Sequence, residues 1–181
     1  MNWKIDQAHT NVTFSVKHMM ISTVHGRFDK FSGKVVFDTK NPETSSADIL
    51  LEASSINTRE PKRDAHLRSA DFLDAEKYPH LHFKSKRVEV IDDSHGHLIG
   101  DLTIRDITNE VVLEVEYAGT VKSPMGYTAA GFTAAASINR KDWGLNWNLA
   151  LEAGGWLVGD KIDIDIEIEL IKEEVEEEAL A

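Results

Sequence analysis

Eight histidines are the side chains of this sequence best suited to metal or acid–base chemistry. The pairs His80-x-His82 and His95-x-His97 each place two imidazoles on one side of a strand, a spacing used by metal-binding barrels of the cupin type. A complete site of that kind needs another histidine from a later strand, and none follows His97. Turns such as Asp-Asp-Ser-His-Gly-His normally expose their polar groups. We therefore predict no metal site, and a metal-dependent barrel is the weaker alternative.

The chain contains no motif for nucleophilic catalysis or for nucleotide binding. It contains no cysteine, which removes thiolate nucleophiles, disulfides and cysteine-ligated zinc together. Neither a Gly-x-Ser-x-Gly elbow nor a glycine-rich phosphate-binding loop is present. We therefore predict neither an enzyme nor a cofactor. An enzyme would have to use a histidine such as His18 or His66 as its general base.

Five polar side chains in or beside apolar segments can form a collar around the entrance of a pocket. They are His9, His18, Arg63, Asp64 and His66. Because Arg63 and Asp64 are adjacent on a predicted helix, they cannot face each other and each needs a different partner. The simpler interpretation is a surface ion pair between Asp64 and Arg68, worth about 0.3–0.5 kcal/mol. Spacing alone leaves both interpretations open and favours the surface pair.

The elements that must position these residues are mostly strands, because apolar and polar residues alternate with a period of two. In the clearest run, from Ile162 to Leu170, aliphatic side chains alternate with acids. This pattern is typical of antiparallel strands with one dry and one solvated face. Strands are predicted at about 2–6, 12–17, 27–38, 47–52, 81–91, 97–105, 111–117, 127–138 and 162–170.

One segment between the fourth and fifth strands breaks the alternation. Residues 58–76 are rich in helix formers, Thr58 can cap a helix, and Pro61 suits a first helical turn. The segment therefore predicts a short helix at about 60–69.

The strands make an all-β domain, which must either stack as a sandwich or close as a barrel. Long strands with recurrent glycines at Gly33, Gly100 and Gly131 favour one antiparallel eight-stranded barrel. Very small side chains fill the run at 127–138. Protein interiors do not leave such space empty, so this strand indicates either tight packing or a ligand cavity.

Charge and composition narrow the choice of partner. The chain has 181 residues, and 20 Lys and Arg against 31 Asp and Glu give a net charge of −11. This charge repels phosphate backbones, so we predict no nucleic-acid partner. No apolar run approaches the 18 residues of a membrane span, and the opening residues show no signal peptide. We expect a cytoplasmic protein, or a periplasmic one if the chain is a processed mature form.

A series of short motifs runs through the chain in a fixed order. It includes Trp3-x-x-Asp6-x-x-His9-Thr10-x-Val12-x-Phe14-x-Val16-x-His18, Val24-x-Gly26-Arg27-Phe28, Ser55-Ile56-x-Thr58, Arg63-Asp64-x-His66-Leu67, Tyr78-Pro79-x-Leu81-x-Phe83 and Asn139-Arg140-Lys141-Asp142-Trp143-Gly144-Leu145. The set covers about residues 2–171 and resembles the YceI-like family of bacterial polyisoprenoid-binding proteins.

The resemblance implies a lipocalin-like barrel that holds one long isoprenoid, of quinone or polyprenyl alcohol type, or a related lipid in a central apolar tunnel. The role of the protein would be to store, shield or transport this lipid. It makes the strand at 127–138 a tunnel wall and the helix at 60–69 part of the mouth. The resemblance ends at about residue 171, so the chain divides into a barrel, 1–171, and an acidic tail, 172–181. The tail is too short and too charged to bury a core, and we predict it to be disordered. Whether the chain forms a homodimer is left open.

The predicted ligand contacts combine inward-facing strand residues with residues of the helix and its surroundings. They are Val12, Phe14, Val16, His18, Phe28, Phe37, Ile49, Leu51, Arg63, Asp64, His66, Leu67, Phe72, Phe83, Leu102, Phe132, Ala134 and Trp143.

Overall fold

A computed structural model describes residues 2–174 of the chain. It contains eleven strand segments and one α-helix within that range. They are β1 Asn2–Ile5, β2 Asn11–His18, β3 Ser22–Phe28, β4 Phe31–Val36, β5 Ser46–Glu52, β6 Ile56–Asn57, α1 Pro61–Arg68, β7 His80–Val90, β8 His95–Ile104, β9 Ile107–Lys122, β10 Thr128–Asn139 and β11 Val158–Lys172.

The segments form a closed antiparallel barrel of eight strands, as the sequence predicts. Three barrel strands are interrupted, so that β1 with β2, β3 with β4, and β5 with β6 each follow one path around the wall. Closure comes from β11, which pairs with β10 on one side and with both β2 and β1 on the other. Every strand pair is antiparallel, and every pair except the closing one joins neighbours along the chain path, so the barrel is an up-and-down meander.

Backbone hydrogen bonds carry the pairing across the interruptions. Between β3 and β4, the Asp29 N–H donates to the Ser55 carbonyl, and the Glu52 N–H donates to the Lys30 carbonyl. Between β1 and β2, the Asp6 N–H donates to the Glu169 carbonyl, 2.9 Å away. The strands can therefore bend sharply without leaving unpaired backbone groups in the wall.

The helix lies in the predicted part of the chain, between the strands that contain Ile49 and Phe83. Because β1 and β2 count as one barrel strand, these are the third and fourth strands of the barrel rather than the fourth and fifth. Its N-cap is Glu60, whose carboxylate accepts the N–H groups of Lys62 and Arg63, so the expectation that Thr58 caps it is wrong.

The connections of a meander alternate between two ends of the barrel, and here the two ends differ. One end, called the closed end below, carries the connections 19–21, 58–79, 105–106 and 140–157, including α1. The opposite end carries the connections 37–45, 91–94 and 123–127.

Large apolar side chains fill the closed end. Trp143 is 3% exposed, and its indole N–H donates to the Leu102 carbonyl at 2.8 Å. It packs in one buried cluster with Phe28 and Leu145. The buried Arg140 holds the connection above them, because its guanidinium donates to the carbonyls of three residues. Those residues are Leu145, Trp147 and Gly159.

The final strand reaches the start of the predicted acidic tail. Lys172 is still paired with Trp3, and the Glu173 N–H donates to the Asn2 carbonyl at 3.3 Å. Residues 175–181, which make up most of the predicted tail, lie outside the described residues. Within the described range, no helix has the length and apolar character needed to cross a bilayer.

Candidate functional site

A cavity of about 480 Å³ occupies the barrel interior. Strand alternation builds its wall: Ile164, Ile166 and Ile168 of β11 point inward, while Asp165 and Glu167 between them line a depression on the outer face. Eight of the predicted ligand contacts line this cavity. They are Val12, Phe37, Ile49, Leu51, Phe83, Leu102, Phe132 and Ala134.

Strand β10 contributes a small inward side chain, on the face that the sequence predicts. Ala134 lies between Val115 of β9 and Ile166 of β11 in the strand register, and all three line the cavity. Phe132, two residues earlier, packs edge-on against Phe37 with ring centroids 4.9 Å apart. A small residue beside a packed aromatic pair leaves open space in the middle of the barrel.

Four predicted contacts lie in the apolar cluster at the closed end, behind the cavity wall. Phe28 and Trp143 are buried there, and Phe14 and Leu67 pack against the cluster. Phe14 is 5.8 Å from Phe28 between ring centroids. Val16 and His18, near the far end of β2, are also absent from the cavity lining. These residues support the wall and floor in this structure, and a direct contact with a ligand stays a prediction.

The charged pair of α1 serves a structural network that sequence reasoning did not foresee. The Asp64 carboxylate accepts the Thr58 N–H at 2.8 Å and the Thr58 hydroxyl at 2.6 Å. Arg63 donates to the same hydroxyl oxygen at 2.7 Å and to the Thr58 carbonyl at 2.8 Å. Arg63 and Asp64 thus share one partner, which corrects the expectation that each needs a different one. Arg68 is not within ion-pair distance of Asp64.

The five residues of the predicted collar do not form one site, although three of them lie on α1. His9 lies in the break between β1 and β2, with Nδ1 2.7 Å from Asp6 Oδ2. His66 lies at the closed end, where its Nε2 is 2.8 Å from Asp71 Oδ2 and its ring meets those of Phe72 and Trp147. None of the five lines the cavity. The helix at 60–69 is therefore not the mouth of this cavity, because α1 covers the opposite end of the barrel.

The cavity reaches solvent between two connections at the other end. Its polar lining residues there include Lys40 and Ser45 before β5, and Asp92, His95 and His97 around the β7–β8 turn. We call this region the mouth. Sequence reasoning assigned this turn to an ordinary exposed surface. The alternation of a meander was the available signal, because it places connections 37–45 and 91–94 at the end opposite α1.

Asp92 organises one side of the mouth. Its carboxylate accepts the N–H groups of Ser94 at 2.9 Å and His95 at 2.8 Å, and it also meets the His95 ring at 2.9 Å. These hydrogen bonds, led by the one from Ser94, lower the pKa of Asp92 to about 2. Asp92 raises the pKa of His95 in turn. Asp92 is therefore ionised at physiological pH, and protonated His95 beside it offsets this charge.

The histidine pairs considered as metal ligands are placed apart from one another. His80 and His82 alternate with the inward residues Leu81 and Phe83, and His82 Nε2 is 2.6 Å from Asp48 Oδ1 on the neighbouring strand. Among the described residues, one set of three groups has the geometry to share a metal ion. It consists of Asp6, His9 and Glu169.

Comparisons with known proteins show the family to which this chain belongs. A family model described as YceI-like domain matches residues 3–170. The chain belongs to the YceI-like family. A UPF0312 protein of Staphylococcus aureus strain MSSA476 is 38% identical to this YceI-like chain over 169 residues, covering 93% of the chain and 96% of the relative.

Two solved structures share the barrel of this YceI-like chain. The YCEI protein of Campylobacter jejuni superposes with a TM-score of 0.76 at 33% identity, covering 87% of this chain and 90% of that one. A polyisoprenoid binding domain from Saccharophagus degradans superposes with a TM-score of 0.67 at 13% identity, covering 94% and 98%. The second likeness concerns the fold alone.

Proposed function

We propose that this YceI-like protein binds an isoprenoid or related long-chain lipid, of quinone or polyprenyl type, in its barrel cavity and stores, shields or transports it. The observation that carries the proposal is the division of the cavity lining. Aliphatic and aromatic side chains form the inner wall, while the charged side chains belong to the mouth. A ligand with an apolar chain and a polar end matches that division.

Burial of the chain supplies ample binding energy. Each CH₂ group removed from water contributes ~0.8 kcal/mol, so one five-carbon isoprene unit contributes roughly 4 kcal/mol before any cost is counted. Ordering a flexible chain and desolvating its head group offset part of this gain. Micromolar binding needs about −8 kcal/mol. Because association costs at least about 4 kcal/mol, three or more buried units are needed to reach it.

The comparisons support a binding role for the barrel. The Saccharophagus degradans domain with the same fold is described as polyisoprenoid binding. The two histidines that sequence reasoning offered as general bases, His18 and His66, do not line the cavity. An enzyme acting on the buried chain would need such a base on the inner wall, whereas the two histidines that line the cavity, His95 and His97, lie at its mouth. A carrier or store that leaves its ligand unchanged is therefore the better proposal.

Mass spectrometry of an organic extract of the purified protein tests the proposal. We expect an isoprenoid or related lipid in near-stoichiometric amount. Ala134→Trp should fold with near-normal stability but lose or shorten the extracted ligand, because its ring takes the space of the chain. Ala135→Trp is the matched control, because Ala135 faces the outside between Glu114 and Asp165. It should keep its ligand.

The opposite results would contradict the proposal. A wild-type extract without lipid, together with strong destabilisation by Ala134→Trp, would mean that the barrel interior is a packed core. Overpacking of a filled core costs about 1–3 kcal/mol, which urea denaturation measures directly.

A further inference from the structure

The mouth of the cavity differs from its interior in charge. Among the described lining residues, Lys40 is the one lysine or arginine, whereas Asp92 and Asp93 are both carboxylates. Two histidines complete the titratable groups of the mouth, and one of them, His95, is already engaged by Asp92. Permanent negative charge therefore exceeds permanent positive charge where a ligand would place its head group.

The barrel surface beside the mouth adds to this charge. In the β8–β9 register, Glu116 stands opposite His95 and Glu114 stands opposite His97. Both glutamates line a depression on the outer face that reaches the same two histidines. The histidines are thus flanked by carboxylates on the neighbouring strand as well as by Asp92, which compensates any positive charge they carry.

One polar atom at the mouth lacks a partner. The Ser45 hydroxyl oxygen is buried, and Ser45 lines the cavity. No atom of the described protein accepts or donates a hydrogen bond there. Buried polar atoms in proteins are nearly always paired. Because Ser45 lines the cavity, rotation about its Cα–Cβ bond can turn the hydroxyl toward a ligand oxygen, which would give it a partner.

We infer that the mouth selects a lipid with an uncharged head group bearing a hydroxyl or carbonyl oxygen, which Ser45 binds, and rejects the phosphate or diphosphate ester of the same chain. This inference rests on the proposed function. A phosphate ester carries up to two negative charges at neutral pH, and these would face Asp92 and Asp93 with Lys40 as the one permanent cation. A neutral oxygen meets no such repulsion and satisfies the serine.

A pair of ligands with one chain and two head groups tests the inference on the delipidated full-length protein. Farnesol and farnesyl diphosphate are titrated at pH 7.5 in low and in high salt. We expect farnesol to bind at least tenfold more tightly in low salt, and the difference to shrink in high salt as the repulsion is screened. Equal or tighter binding of the diphosphate would overturn the inference. Failure of both ligands, with no lipid in the purified protein, would instead overturn the proposed function.

Two variants separate the hydrogen bond from the charge. Ser45→Ala should weaken farnesol binding three- to tenfold and leave binding of farnesane, the C15 hydrocarbon without oxygen, unchanged. Ser54→Ala is the matched control, because Ser54 is exposed in the break between β5 and β6 and does not line the cavity. Asp93→Lys should strengthen farnesyl diphosphate binding at least tenfold, and Asp93 makes no described hydrogen bond that the change would break. Unchanged farnesol affinity in Ser45→Ala, or unchanged diphosphate affinity in Asp93→Lys, would overturn the corresponding half of the inference.

Discussion

Thr58 binds both charged side chains at the start of α1, and this gives a prediction at the scale of single residues. Asp64 is 8% exposed and accepts two hydrogen bonds from Thr58. Asp64→Ala leaves the Thr58 N–H without its partner, and we expect the free energy of unfolding to fall by about 2–3 kcal/mol. Urea denaturation measures the loss. Lys62→Ala, at an exposed position of the same helix, should change stability by less than about 0.5 kcal/mol.

The same variant distinguishes a structural role from a binding role. Because α1 lies at the closed end, Asp64→Ala should leave the relative affinity for different head groups unchanged. A changed head-group preference in this variant would instead support the sequence-based prediction that α1 forms part of the mouth.

The Asp6–His9 pair predicts a pH dependence of stability. The hydrogen bond with His9 lowers the pKa of Asp6 below 3.8, and the same bond raises the pKa of His9 above 6.5. The contribution of the pair is complete where Asp6 is ionised and His9 protonated, between about pH 4 and 6.5. It is lost as pH rises through the folded pKa of His9 or falls through that of Asp6.

Denaturation of the wild type and His9→Gln at pH 5.5 and pH 8.5 checks this window. The advantage of the wild type should be larger at pH 5.5. His25→Gln, at an exposed histidine of β3, serves as the control and should show no such change. An equal or larger advantage at pH 8.5 would contradict the assignment.

At the scale of elements, two glycines predicted to mark bends have different surroundings. A Cβ atom at Gly100 would lie 2.6 Å from both the Lys84 carbonyl oxygen and the Phe83 ring. A Cβ atom at Gly131 would make an ordinary contact of 3.6 Å with Ala118. Gly131 instead lies at a register shift between β9 and β10.

These surroundings predict opposite outcomes for alanine at the two positions. Gly100→Ala should destabilise the barrel by about 1–3 kcal/mol, because β7 must move away from β8. Gly131→Ala should stay within about 1 kcal/mol of the wild type. Thermal denaturation of the two variants side by side provides the comparison, and similar melting temperatures would argue against it.

Strands were predictable wherever one face is dry and the other wet. The alternation from Ile162 to Leu170 identified β11 and its inward face. The small residues of β10 left tight packing and a cavity as alternatives, and the structure places Ala134 in the cavity lining. The position of the mouth was not predictable from local pattern, because it depends on which connections share an end after the barrel closes. The Thr58 network was missed for a related reason. It joins a helix to the loop before it, and no periodicity records such a contact.

At the scale of the whole molecule, ligand and fold should be thermodynamically linked. A ligand that binds the folded barrel alone stabilises it by ~2.7 kcal/mol at a concentration 100 times its Kd. For a chain of this size the melting temperature should then rise by roughly 5–10 °C. Scanning calorimetry of delipidated protein with and without farnesol measures the shift. Ala134→Trp should show a much smaller shift, and an equal one would mean that the ligand binds elsewhere.

The single mouth also dictates how one cargo molecule replaces another. The described lining residues that meet solvent all come from the end opposite α1, so a bound chain leaves backwards along the path by which it entered. A competing lipid therefore cannot displace the bound lipid from the other end, and it enters the cavity only after the bound lipid has left. The rate of replacement should therefore reach a plateau set by departure alone, however much competing lipid is supplied. A membrane or protein that speeds delivery has to act at the mouth itself.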